Sequence, residues 1–374
     1  MIKIVADFNI PFLKGALEDY ASIVYLPARE IGPRQVRDAD ALIVRTRTRC
    51  NEQLLRGSAV KYIATATIGF DHIDDDYCRA NGISWSSASG CNSGSVMQYM
   101  ASALACLTTR SRKKFEDLSI GIVGVGNVGK KVEKLARLLG MKVLLNDPPR
   151  ARAEGSGSFA DLDDLLEDSD IVTMHVPLNR EGKDGTIHLA GKEFFLKIRR
   201  GGWFINTSRG EVMNTGALIG SLHGHLAGAV IDVWENEPEI DRELLHLADL
   251  ATPHIAGYSL DGKANGASQS VRAISRFFGL GAGDWYPGNI PEPADGLVRI
   301  GKDHGGMDKL ARRLFMHSYN IETDSTRLKA APGKFEQFRD NYPPRREFGA
   351  YILAFNDPDD PCKERLHEAG FRVK

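Results

Sequence analysis

One stretch constrains this chain more than any other: Gly124-Val125-Gly126-Asn127-Val128-Gly129, set between the apolar run Ser119–Gly124 and a helical pattern from Val128 to Leu139. Three glycines at this spacing mean little alone. Between a strand and a helix they form the first crossover of a βαβ unit that lets a backbone approach a pyrophosphate. Gly124 permits the tight turn, Gly126 leaves room for phosphate oxygens at the positive helix N-terminus, and Gly129 lets the helix pack closely on the strand. Asp147 ends the next strand, 18 residues after Gly129. A carboxylate there accepts hydrogen bonds from the adenosine ribose hydroxyls and repels a 2′-phosphate, so the expected cofactor is NAD and not NADP. Arg150 and Arg152 nearby are the feature that leaves room for NADP.

The same alternation of short apolar runs and helical patterns extends over most of the 374 residues. Before the glycine loop, strands are expected at Ile2–Ala6, Ser22–Leu26, Ala41–Arg45, Tyr62–Ala66 and Gly82–Ser84, with a helix near Pro11–Asp19 and another opening at Glu52–Leu55. A long helix from Ser95 to Arg110 follows. After the loop, strands are expected at Lys142–Asn146, Asp170–His175, Trp203–Asn206, Ala229–Asp232 and Leu250–Ala251. This pattern predicts an α/β protein with two doubly wound parallel sheets of Rossmann or flavodoxin type. The aperiodic, proline-rich stretch from Asp284 to Asp295 reads as a linker to a small α+β unit with strands at Val298–Ile300 and Ala350–Phe355. Residues 296–374 carry 15 Lys+Arg against 12 Asp+Glu, which leaves −4 on the remainder of a chain whose net charge is −1. Such balance excludes a whole-chain design for nucleic acid or an anionic membrane. The five cysteines are scattered, with no C-x-x-C, so reduced thiols and no zinc site are expected. The first residues read as a strand and not as a signal peptide, and no apolar stretch is long enough to span a bilayer, so a cytoplasmic protein is expected.

In a doubly wound sheet, ligands bind beyond the carboxyl ends of the strands. Three candidate groups stand at such ends. Arg209, in Asn206-Thr-Ser-Arg209-Gly210, can bind a carboxylate bidentately and polarise a neighbouring oxygen. Asp232 and Glu237 follow the next strand and His254 the one after. A histidine takes up an alcohol proton near neutral pH, and a carboxylate beside it fixes its tautomer, so Glu237 and His254 are suited to act together. His175 ends a strand of the same sheet and is placed to line a cofactor groove. In the first unit, Arg45, Thr46 and Thr67 follow two strands and can cradle a carboxylate or phosphate; several arginines in one loop suggest a doubly anionic substrate.

These residues resemble the D-isomer-specific 2-hydroxyacid dehydrogenases over residues 1–285. The resemblance rests on Gly124–Gly129 with Asp147, on Asn206–Gly210, on Asp232–Pro238 and on His254-Ile-Ala-Gly257. It implies that Arg209, Glu237 and His254 are catalytic. It places cofactor contacts on Gly124, Gly126, Asn127, Val128, Gly129, Asp147, Asp232 and Gly257, with Val176 standing where some relatives have threonine. Substrate contacts fall on Thr46, Thr67 and Tyr258. The implied layout is a substrate-binding domain at 1–93 and 257–285, an NAD-binding domain at 94–256, and a linker with a C-terminal dimerisation domain at 286–374. The implied reaction is oxidation of a small phosphorylated 2-hydroxy acid in a homodimer. Two alternatives stand beside it: another dehydrogenase of the family, such as one acting on phosphoglycerate, and an NAD-responsive binding protein of co-repressor type. Within the C-terminal segment, Pro343-Pro344-Arg345-Arg346-Glu347 reads as a rigid turn presenting two arginines to solvent or to a partner's substrate cleft.

Overall fold

The computed structural model describes residues 1–374, and every strand pairing in it is parallel. The chain divides into two compact units, one formed by Met1–Asn92 with Ser259–Glu292 and the other by Ser93–Tyr258 with Pro293–Lys374.

The first unit holds β1 (Ile2–Asp7), β2 (Ala21–Leu26), β3 (Ala41–Val44), β4 (Tyr62–Thr65) and β5 (Ser84–Ser87), in the order β2-β1-β3-β4-β5. The strands read as continuous apolar runs because both faces are covered. On one face lie Ala267, Val271 and Ile274 of the helix Leu260–Phe278; on the other lie Val36, Leu54, Leu55 and Cys78. Ser259 caps that helix through its hydroxyl, which accepts from the Gly262 amide at 2.8 Å, and Gly279 ends it in the left-handed region. Val271 and Ile274 are fully buried, each worth roughly 1.5–3 kcal/mol of transfer free energy.

The helix expected near Pro11–Asp19 does not form; these residues make successive turns. Phe12 and Gly15 have φ of +64° and +88°, which a right-handed helix cannot accommodate. Leu13 and Leu17 are buried at the spacing of a helix face, which is why the pattern misleads. The fifth strand also begins later than expected, at Ser84, because Gly82 turns the chain at φ +68°.

The second unit holds β6 (Ser119–Val123), β7 (Lys142–Asn146), β8 (Ile171–Met174), β9 (Trp203–Asn206), β10 (Gly228–Ile231) and β11 (Leu250–Ala251), in the order β11-β10-β9-β8-β6-β7. The order reverses between β6 and β8, and such a switch point opens a crevice at the carboxyl ends of the strands. Three further strands, β12 (Leu297–Ile300), β13 (Ile352–Phe355) and β14 (Arg372–Val373), form a separate sheet. This C-terminal segment shares one hydrophobic core with the helix Ser93–Ser111 and with β6: Leu310, Phe315, Phe348 and Phe371 pack in the same cluster as Tyr99, Leu104 and Ile120. Phe348 stacks between Phe315 and Phe371, at ring separations of 5.5 and 4.3 Å. The segment also contains the helix Ile321–Ala330, which the sequence pattern did not announce. No helix is long and apolar enough to cross a membrane.

Candidate active site

The glycine loop fits the group it was expected to hold. Gly124 has φ +90°, and a Cβ there would lie 2.7 Å from the His175 carbonyl carbon. A Cβ on Gly129 would lie 2.1 Å from the Gly124 carbonyl oxygen. Gly126 differs, since a Cβ there would meet nothing within 4 Å. It also precedes the helix Asn127–Leu138, whose N-terminus no side chain caps. Open space before uncapped amide groups is what a pyrophosphate requires. Asp147 accepts from the Val125 amide at 2.8 Å and the Arg150 amide at 3.1 Å, which fixes its carboxylate at the end of β7. Arg150 pairs with Glu154 at 2.6 Å and donates to the Val125 carbonyl, while Arg152 pairs with Asp184 at 2.5 Å. Both arginines are thus ion-paired within the chain. His175 bonds Thr173 at 3.0 Å, and burial pushes its imidazole down to about 3, so it sits neutral beside the loop. Val176 comes next in the chain, half-buried.

Arg209, Glu237 and His254 stand beyond β9, β10 and β11, at successive carboxyl ends. The first two loops are pressed together, because a Cβ on Gly210 would lie 2.0 Å from the Trp234 carbonyl oxygen. Asn206 stiffens the Arg209 turn by accepting from the Ser208 amide and donating to the Arg209 carbonyl. His254 Nδ1 lies 2.8 Å from Glu237 Oε2. A carboxylate there requires the proton on Nδ1, which leaves Nε2 as the acceptor; the tautomer is assigned from that partner. Burial pushes the Glu237 carboxyl up, but the His254 hydrogen bond and charge, the Trp234 amide and Arg339 outweigh it and hold it below the ordinary carboxylate range. His254 itself has φ +56°. Asp232, 1 % exposed, accepts from Thr252 Oγ1 at 2.6 Å, the Ile255 amide at 2.8 Å and the Ala256 amide at 2.9 Å. Its carboxylate therefore pins the loop that carries His254 and ends at Gly257. Tyr258 meets Tyr342 edge-on at 5.8 Å.

In the first unit, Arg45 and Thr67 follow the adjacent strands β3 and β4. Arg45 Nε donates to the fully buried Asp7 at 2.9 Å. The Thr67 hydroxyl bonds Thr65 at 2.7 Å and the Gly69 carbonyl at 3.1 Å, and Thr46 is exposed. Sequence reading missed Lys263, on the helix Leu260–Phe278. Its ammonium is pushed below its ordinary value by lost solvation and by the charge of Arg45. An anion would relieve both causes; the signal was a tertiary coupling of residues 218 positions apart, which no local pattern carries.

At the turn Pro343–Glu347, one of the two arginines departs from the expectation. Arg345 is only 6 % exposed and donates to the Ala256 and Ile255 carbonyls at 2.7 and 3.3 Å. It is an internal residue of its own chain and presents nothing to a partner's cleft. A second difference concerns donor atoms: His304, Asp360 and Cys362 bring theirs within 4.8 Å of one another, although their spacing announced no cluster. Local bonds account for this group, since Asp360 accepts from His304 Nε2 at 2.6 Å and from the Cys362 amide at 2.9 Å.

A dinucleotide loop at a switch point, with an arginine and a carboxylate-bound histidine on neighbouring strand ends, defines the class as a nicotinamide-dependent dehydrogenase of 2-hydroxy acids. Residues 100–256 match the family model for the NAD-binding domain of D-isomer specific 2-hydroxyacid dehydrogenases, and residues 291–368 match a domain of unknown function, DUF3410. The erythronate-4-phosphate dehydrogenase of Bacteroides fragilis is 50% identical over 94% of this chain and 99% of its own. Those of Porphyromonas gingivalis and Escherichia coli are 42% and 38% identical, covering 94% and 95% of this chain and 95% of each relative. Among solved structures, D-lactate dehydrogenase from Aquifex aeolicus, complexed with NAD and lactic acid, superimposes with a TM-score of 0.57 and 26% identity over 74% of this chain and 95% of that one. NAD-bound 3-phosphoglycerate dehydrogenase of Entamoeba histolytica gives 0.60 and 25% over 76% and 98%. The chain belongs to the D-isomer specific 2-hydroxyacid dehydrogenases and, among them, to the erythronate-4-phosphate dehydrogenase family. It is an NAD-dependent dehydrogenase, as the resemblance implied.

Proposed function

We propose that this chain oxidises 4-phospho-D-erythronate at C2 to (R)-3-hydroxy-2-oxo-4-phosphooxybutanoate, a step toward pyridoxal 5′-phosphate. The observation that carries this reading is the His254–Glu237 contact at 2.8 Å beside the Arg209 turn. Arg209 holds the substrate carboxylate and the C2 oxygen. His254 takes the C2 hydroxyl proton on Nε2, and Glu237 stabilises the imidazolium that results. The nicotinamide, when bound along the glycine loop, supplies the hydride acceptor. Arg45 with Lys263, together with Thr46 and Thr67, serves the phosphate, and Tyr258 adds a substrate contact. His175, Val176, Asp232 and Gly257 border the cofactor. The domain assignment at 1–93 with 257–285, 94–256 and 286–374, the homodimer formed through the C-terminal segment, and a cytoplasmic setting complete the proposal. Leu297, 53 % exposed on the edge strand β12, is apolar surface that a dimer contact would cover.

The test is direct. Purified protein with NAD is offered 4-phosphoerythronate, 3-phosphoglycerate and unphosphorylated erythronate, and NADH absorbance is followed. The proposal requires the highest kcat/KM on 4-phosphoerythronate. Preference for 3-phosphoglycerate would replace it with the sister activity, and NADH-dependent partner capture without turnover on any hydroxy acid would replace it with the co-repressor reading.

A further inference from the structure

The loop carrying His254 is held from two sides. Asp232 takes the amides of Ile255 and Ala256, and Arg345 takes the carbonyls of the same two residues. Arg345 comes from the C-terminal segment, 89 positions beyond Ala256. Its guanidinium lies over the Tyr319 ring at 4.4 Å and 5.8 Å from that of Tyr342. Both tyrosine hydroxyls donate to Asp324, at 3.1 and 2.8 Å, so the aromatic walls are themselves fixed. The flanking residues are anchored too: the Arg346 carbonyl accepts from Gln98 and Glu347 accepts from Ser95, both on the helix Ser93–Ser111. A buried guanidinium bridging two adjacent carbonyls leaves the loop little freedom. A second arginine of the segment reaches the acid–base pair. Arg339 Nη1 lies 3.7 Å from Glu237 Oε2, the same oxygen that His254 bonds.

We infer that residues 339–347 of the C-terminal segment are positioning elements of the acid–base pair: Arg345 holds the His254 loop in place, and Arg339 offsets part of the Glu237 charge. This rests on the reading of His254 and Glu237 as that pair. The segment thereby acts on the reaction within its own chain, in addition to any role in assembly. The charged groups acting on this pair include Asp232 from the β10 end and Arg339. Removing the Arg339 charge strengthens the hold of the carboxylates on the imidazolium. The acid limb of kcat/KM for oxidation, which requires a neutral imidazole, then moves to higher pH.

The test uses the full-length protein with Arg345→Met, Arg345→Lys, Arg339→Gln, Arg339→Lys and His254→Asn, each at the parent's solution mass. Arg345→Met is expected to lower kcat by about tenfold or more while KM for NAD stays within about twofold, with partial recovery in Arg345→Lys. Arg339→Gln is expected to shift the acid limb upward by about half a pH unit or more, and Arg339→Lys to restore it. If Arg345→Met does not fold, Arg345→Lys and the half-exposed Arg339 carry the test. An unmoved acid limb in Arg339→Gln, or a kcat unchanged in both Arg345 variants, overturns the inference. His254→Asn separates the two claims. An inactive His254→Asn beside unaffected arginine variants overturns only the role of the segment, whereas an active one overturns the assignment of the pair.

Discussion

The two large sheets are near copies in topology and opposites in chemistry. One runs β2-β1-β3-β4-β5; the other, read from its far edge, runs β7-β6-β8-β9-β10-β11, the same order with one strand more. Both reverse direction beside their first strand, and each therefore offers a crevice at the same place. The difference lies in the connection that leaves the first strand. After β6 come the glycine loop and a helix with an uncapped N-terminus. After β1 come turns, with no helix, and the strand ends on the fully buried Asp7, which holds Arg45. One scaffold thus offers backbone amides to a pyrophosphate, and the other offers side-chain cations. The lesson is that the fold sets where a ligand can bind, and the residues at the strand ends and first crossover set the chemistry that stands there.

Breaking the second sheet's chemistry should cost most. Arg209→Gln is expected to lower kcat/KM on the phosphorylated hydroxy acid by about a thousandfold, with NAD affinity unchanged in a binding titration. A loss smaller than about tenfold would remove Arg209 from the oxyanion role. Next comes the glycine loop: Gly126→Val fills the open space before the helix and is expected to weaken NAD about a hundredfold while leaving the unfolding midpoint in place. Equal NAD affinity would show that the pyrophosphate lies elsewhere.

The first sheet should yield to a different blow. Asp7→Asn leaves Arg45 without its buried partner and is expected to cost about 2 kcal/mol in urea unfolding, less than a fully buried pair because the Arg45 side chain is 30 % exposed. It should also raise KM for the substrate with no change in NAD binding. The last effect concerns pH. His175 takes its proton near pH 6.5 when unfolded but only at about 3 when folded. The unfolded chain binds the extra proton between those values, so stability falls as pH drops through that window, by at most about 1.4 kcal/mol per unit. His175→Asn should flatten that slope in a pH series of thermal melts; an unchanged slope would mean that the imidazole is solvated.

Sequence reading did best where placement is written locally. Gly124–Gly129, Arg209, Glu237 and His254 each lie within a few residues of a strand end, so periodicity and motif locate them together. It failed where distant residues decide the matter. Leu13 and Leu17 share a helix-like spacing, but the positive φ of Phe12 and Gly15 turns the chain instead. Arg345 reads as a solvated turn residue because nothing nearby in sequence reveals Tyr319, or the carbonyls of Ile255 and Ala256. Lys263 looks like one more helix lysine until its burial and the charge of Arg45 are counted. Burial of a charge is a tertiary fact, and local patterns carry no record of it.

The contact between Gly210 and the Trp234 carbonyl has a consequence for anyone who would rebuild this enzyme. The turn bearing Arg209 and the loop bearing Glu237 touch where only a hydrogen fits. Neither can change length or path without displacing the other. Specificity loops in this fold are therefore not interchangeable parts: a transplant of one from a relative must bring its neighbour with it.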